Sequence, residues 1–162
     1  SIQIGMRGSL YDPNEHQIAR DLGYDLIPAH EVRKMGFEAL IERIKARVGN
    51  MPVFLTFDID FVDPAYAPGT GTPEVGGFTS YETLELIRAL KDLNFVAFDV
   101  VEVLPAFDSG EITAYMAANI CFEFISILAV QKKEREAKAK ADANASAFGV
   151  YVFKKIRSWP VP

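Results

Sequence analysis

Two aspartates two residues apart, Asp58 and Asp60, follow the apolar run Val53-Phe54-Leu55-Thr56-Phe57. In an extended chain residues i and i+2 point to one side, so both carboxylates face the same way. Two such acids repel and are costly to desolvate unless a cation joins them. All-oxygen carboxylate sites suit Mg²⁺, Ca²⁺ or Mn²⁺. Aspartates at a strand end also serve as caps for loop amides, and the spacing alone leaves both readings open. The segment that follows carries more information. Pro64, Pro68 and Pro73 stiffen it, while Gly69, Gly71, Gly76 and Gly77 let its backbone turn and approach a ligand. A loop from Asp58 to Gly77 is too long and too punctuated for a plain connection.

The elements that must position this loop alternate short apolar runs with helical patterns, the mark of an α/β fold with a mostly parallel sheet. Ser1 to Met6 and Tyr24 to Ala29 read as strands. Between them Asp12-Pro13-Asn14-Glu15 has helix-start chemistry, and Ile18, Ala19 and Leu22 give that helix an apolar face. Phe37, Leu40, Ile41, Ile44 and Val48 predict a longer helix closed by Gly49. Val53 to Phe57 reads as a central strand buried on both faces, with Asp58 at its carboxyl end, where open α/β sheets hold ligands. Thr79 and Glu82 form a capping box for a helix carrying Leu84, Ile87 and Leu90. Phe95 to Val103 is the next strand, and Asp108 with Glu111 opens a final helix through Ile120, Phe124 and Leu128.

At 162 residues and 18.0 kDa the chain has room for one domain with a real core. The expected division is residues 1–131 for that domain and 132–162 for a charged helical extension with an apolar tail. A net charge of −5 argues against a nucleic-acid partner on a broad basic surface. Charged or polar residues interrupt the apolar runs, so no membrane partner is expected. One cysteine, Cys121, forbids an internal disulfide. With no secretory signal after Ser1, a cytoplasmic location is expected, and a mitochondrial address in a missing start stays open.

The pattern T-F-D-I-D-x-x-D-P-x-x-x-P-G-T-G-T-P-x-x-G-G, from Thr56 to Gly77, resembles a signature of the ureohydrolases, the arginase and agmatinase family. Phe98-Asp99-Val100-Val101-Glu102-Val103 with Pro105 is similar to the family's D-x-x-E-x-x-P strand end. Gln3-Ile4-Gly5-Met6-Arg7-Gly8 is similar to its I-G-x-R strand, with the D-P-x-E-H turn at Asp12 to His16. The style is closest to the agmatinase and guanidinobutyrase branch. The resemblance implies a three-layer αβα arginase-like fold, of which this chain is about the C-terminal half. It implies hydrolysis of a small guanidino compound to urea and an amine by a hydroxide bridging two Mn²⁺ ions. Metal ions generate such a nucleophile by lowering the pKa of water.

Carried over by position, Asp58 and Asp60 are metal ligands and catalytic, and Glu102 holds the substrate guanidinium. Thr72 falls near the reacting group, and Asp12 and Glu15 match residues that contact the substrate tail. Asp12 and Glu15 also make a complete capping box, which explains them without substrate. The family's two earlier metal motifs, of the G-G-D-H-S and D-A-H-x-D types, are not in this chain. Its two histidines are elsewhere, His16 on a helix and His30 in an expected loop. The remaining ligands for the Mn²⁺ pair are therefore expected from a missing N-terminal half. The expected partners are a small guanidino substrate and either a homo-oligomer (trimer or hexamer) or a complementary N-terminal chain. The alternative is a truncated, non-catalytic homologue that serves as an assembly or regulatory subunit.

Overall fold

A computed structural model describes residues 1–156, with side chains as far as Ala145 in the last helix. The elements run β1 (Ile2–Met6), α1 (Glu15–Asp21), β2 (Asp25–Pro28), α2 (Ala29–Val48), β3 (Val53–Asp58), α3 (Ser80–Ala89), β4 (Phe95–Val101) and α4 (Ile112–Ile156). The strands form two parallel pairs rather than one continuous sheet. β1 pairs with β2, Ile4 opposite Ile27, and β3 pairs with β4, Phe57 opposite Val100. Parallel strands need a crossover, and the helices supply it. Contacts divide the chain into Ser1–Ile127 and Leu128–Pro162. The apolar tail expected at the end of residues 132–162 lies outside the residues described with side chains.

In the first unit, α2 covers β1 and β2, burying Val32, Leu40 and Ile44 with Leu26 and Ile27. Gly36, at φ 80° and ψ 162°, breaks the helix. The periodicity from Phe37 onward therefore finds only its second part, and His30 lies in its first turn rather than in a loop. β4 packs on α4 through Phe124. Its ring stacks on Phe98 at 4.8 Å and meets Phe95 edge-on at 5.8 Å.

Three expectations are corrected. β3 is not buried on both faces: Phe54 is 60% exposed and Thr56 is open, because one face of the β3–β4 pair has no covering layer among the described residues. The apolar face of α1 is uncovered too, with Ile18 51% and Leu22 73% exposed and no residue of α1 buried. Finally, α4 contains a stretch long and apolar enough to cross a bilayer by length and composition. A core helix has the same property; here Met116, Ile120, Phe124 and Ile127 are buried, while Ile112, Tyr115, Phe122 and Ile125 are exposed.

Helix starts follow the sequence closely in one place and loosely in two. Thr79 and Glu82 form the full capping box: the Glu82 amide donates to Thr79 Oγ1 (3.1 Å) and the Thr79 amide to Glu82 Oε2 (2.8 Å). At α1, the Asp12 carboxylate accepts from the Asn14 amide (2.7 Å) instead of the Glu15 amide. Asp108 caps α4 by accepting from the Thr113 and Ala114 amides (2.9 and 2.8 Å), while Glu111 sits in the intervening turn at φ 60°.

Candidate functional site

The loop after β3 is held by aromatic contacts before any polar group is placed. Phe57 meets Phe61 at 5.7 Å, Phe61 stacks on Phe78 at 4.4 Å, and Phe78 meets Phe37 of α2 at 5.7 Å. Both ends of the loop are thereby anchored to the core, and Val62 and Phe78 form a bridge across its base. Its middle is pinned to α4. The Gly69 amide donates to the Thr113 hydroxyl (2.7 Å), and a Cβ at Gly69 would stand 2.5 Å from Asp108 Cβ, so only glycine fits that approach. Thr70 then bridges Val103, and the Leu104 amide donates to the Gly69 carbonyl (2.8 Å). The residue next to Val103 is Glu102.

Asp58 ends β3, and Asp60 lies in the short 3₁₀ turn Ile59–Phe61. The Asp60 amide donates to Asp58 Oδ1 (2.8 Å), so the capping role read from the spacing is real. It does not consume the pair. Asp60 Oδ2 accepts from the Thr72 hydroxyl (2.7 Å), while Asp60 Oδ1 is buried with no hydrogen-bond partner. A buried carboxylate oxygen left without a partner is costly, and a cation is the species that would satisfy it. Asp58 agrees with this: desolvation, then the nearby Asp60 and Glu102 carboxylates, push its carboxyl above the usual range. The residues fit a share of a metal centre. They do not fit a whole one, since no group of three or more His, Cys, Asp or Glu among the described residues could hold an ion.

Glu102 follows β4 and is exposed, with its backbone at φ 64°. A residue bearing a Cβ rarely takes that conformation, and such strain gathers at functional positions. Sequence reasoning placed Glu102 but had no signal for this geometry. Asp63 is a turn residue: it accepts from the Ala65 (3.0 Å), Gly76 (2.8 Å) and Gly77 (3.0 Å) amides, which hold its carboxyl below the usual range. Arg7, the one charge of the β1 motif, was not singled out as a site residue, yet its guanidinium reaches this loop at the Asp60 and Glu74 carbonyls.

Thus Asp58, Asp60, Thr72 and Glu102 come together. Asp12 and Glu15 do not join them by any hydrogen bond or ion pair. Glu15 Oε1 accepts from the Tyr11 and Asp12 amides (3.1 and 3.2 Å), so these acids serve their own turn.

Comparison with known proteins bears on the family and the fold. Residues 1–126 match the Arginase family. An agmatinase of Enterobacter sp. (strain 638) is 48% identical over 134 residues, covering 83% of this chain and 41% of that protein. The chain thus spans about two-fifths of the curated relatives it matches. Among solved structures, a hypothetical agmatinase from Burkholderia thailandensis superposes with a TM-score of 0.72 at 41% identity, covering 82% of this chain and 39% of that one. Proclavaminate amidino hydrolase from Streptomyces clavuligerus gives 0.73 at 43% identity, covering 78% and 42%. Parallel strands flanked by helices, the matched residues and these neighbours agree, and this chain belongs to the arginase family.

Proposed function

We propose that this chain supplies part of the active centre of a Mn²⁺-dependent amidinohydrolase, which cleaves a small guanidino compound of the agmatine or guanidinobutyrate type to urea and an amine. The observation that carries the reading is the convergence of Asp58, Asp60 and Thr72 around one buried, unpartnered carboxylate oxygen, with Glu102 brought beside them. Asp58 and Asp60 would be this chain's share of the metal ligands. When bound, the ions supply a water-derived nucleophile near neutral pH. Thr72 holds one oxygen of Asp60 and so leaves the other as the free donor. Glu102 offers a carboxylate that suits a planar guanidinium through two parallel N–H···O bonds. Asp12 and Glu15 enter only by shaping the turn after β1.

Because this chain presents two metal-binding carboxylates, the reading draws the further ligands from a complementary N-terminal portion outside this sequence. The test is urea release from agmatine or 4-guanidinobutyrate by this chain co-purified with the N-terminal portion of an agmatinase relative, with Mn²⁺ present. Loss of urea release on Asp58→Ala is expected; urea release unaffected by that change sinks the proposal. A second reading is a non-catalytic assembly subunit, for which the open face at Phe54 would be the contact surface. Native mass spectrometry separates the two: a partner bound with no Mn²⁺ in the assembly supports the second.

A further inference from the structure

Arg7 lies just past β1 and is half-buried. Its Nε donates to the Glu74 and Val75 carbonyls (3.2 and 3.3 Å), and Nη2 donates to the Asp60 and Glu74 carbonyls (2.5 and 2.7 Å). Longer contacts of 3.5 Å reach the Gly5 and Val62 carbonyls. A guanidinium has five N–H donors in a rigid fork and no acceptor. Here the fork spans two arms of the loop, residues 60–62 on one side and 74–75 on the other. The carboxylates of Asp63, Asp60, Glu74 and Asp58 act on this cation electrostatically, and none of its hydrogen bonds goes to them.

Two independent observations reinforce the crossing. A Cβ at Gly77 would stand 2.6 Å from Arg7 Nη2 and 2.6 Å from the Asp63 amide nitrogen. The space beside the guanidinium thus exists only because residue 77 lacks a side chain. Asp63 then binds the same two arms from the opposite direction, through the Gly76 and Gly77 amides. Thr72, which holds Asp60 Oδ2, lies between the clamped arms in sequence.

We propose that Arg7 is a positioning residue that clamps the 60–62 arm to the 74–75 arm and so sets Asp60 and Thr72 for cation binding. The cation-binding half of this statement rests on the metal reading above; the clamp itself does not. Two measurements on the full chain keep them apart. The first is amide hydrogen exchange on the metal-free protein, followed by mass spectrometry. The second is a Mn²⁺ titration of the full chain combined with the N-terminal portion of an agmatinase relative, read from the electron paramagnetic resonance signal of free Mn²⁺.

For Arg7→Ala, exchange across 59–63 and 74–78 is expected to rise at least roughly tenfold, while β3 and β4 keep wild-type rates. Mn²⁺ affinity should fall by about tenfold or more, the scale seen when groups supporting metal ligands are removed. Gly77→Ala should give the same pattern from the other side. Arg7→Lys should restore neither fully, since an ammonium is a point charge without the fork. Wild-type loop exchange in Arg7→Ala, or full rescue by Arg7→Lys, would overturn the clamp. Faster loop exchange with unchanged Mn²⁺ affinity would overturn the positioning role. If Arg7→Ala fails to fold, Arg7→Lys decides alone, and wild-type loop exchange there counts against the proposal. If the wild-type complemented assembly binds no Mn²⁺, the metal reading fails by itself and exchange still judges the clamp.

Discussion

Replacing Glu102 by glycine should stabilise this protein more than replacing it by alanine, the reverse of the usual order. The backbone at Glu102 is fixed from both sides. Val101 before it is paired in register with Asp58, and Val103 after it is bridged to Thr70, with the Leu104 amide bonded to the Gly69 carbonyl. The chain cannot relax φ from 64° without breaking one of these ties. A left-handed conformation costs a residue with a Cβ about 1–2 kcal/mol. Glycine escapes that cost but gives back about 0.4–1 kcal/mol through its freer unfolded chain. Glu102 is exposed, so burial does not enter. The net expectation is that Glu102→Gly exceeds Glu102→Ala in stability by about 0.5–1 kcal/mol, or about 1–4 °C in Tm. Guanidinium unfolding followed by circular dichroism measures the difference. Both variants lack the carboxylate, so both should lose urea release in the complemented assembly. An alanine variant as stable as the glycine variant, or more so, would refute the argument that the fold enforces this backbone.

Other expectations follow from the core, the caps and the surface charges. Phe124→Ala should cost about 3–5 kcal/mol, since it removes the ring packed on Phe95 and Phe98, and a denaturation midpoint will report it. Thr79→Ala removes half of the capping box and should cost about 1 kcal/mol, with Thr79→Ser recovering most of it on thermal melting. Asp25 accepts from Arg43 through both carboxylate oxygens, and these bonds hold its carboxyl below the usual range. A lowered folded-state pKa stabilises above the unfolded value of about 4 and loses that contribution as pH falls through the folded one. Asp25→Asn should therefore lower stability by about 0.5–1 kcal/mol at pH 7 and make no difference once the wild-type carboxyl is protonated. Melting curves from pH 7 to pH 2 check this.

Much of this protein was legible in its residues because the relevant chemistry is local. The alternation of apolar runs and helical periods marks the strands and helices, since periods of two and 3.6 are properties of the backbone itself. Thr79 and Glu82 announce a helix start because a capping box is closed within four residues. The Pro- and Gly-rich stretch from Asp58 to Gly77 marks a candidate functional loop, and its motif leads to the family to which residues 1–126 match. Asp58, Asp60, Thr72 and Glu102 could all be named from that motif and the strand end that follows it.

What the residues could not show are the facts that depend on distant neighbours. Val53 to Phe57 is apolar enough for a doubly buried strand, yet whether Phe54 is covered depends on which layers pack against β3, and one is absent among the described residues. The apolar face of α1 is open for the same reason. Gly36 gives no local sign that it breaks α2, because an isolated glycine is compatible with a continuous helix. Glu102 adopts a left-handed backbone only because β4 on one side and the Gly69–Thr70 segment on the other leave it no alternative. Arg7 becomes part of the site only when the fold lays β1 beside a loop more than fifty residues away, as its bond to Asp60 shows. Residue types and short spacings determine which chemistry this chain carries. Long-range packing decides which of those groups share one site, because contacts between distant segments leave no periodic trace in the sequence.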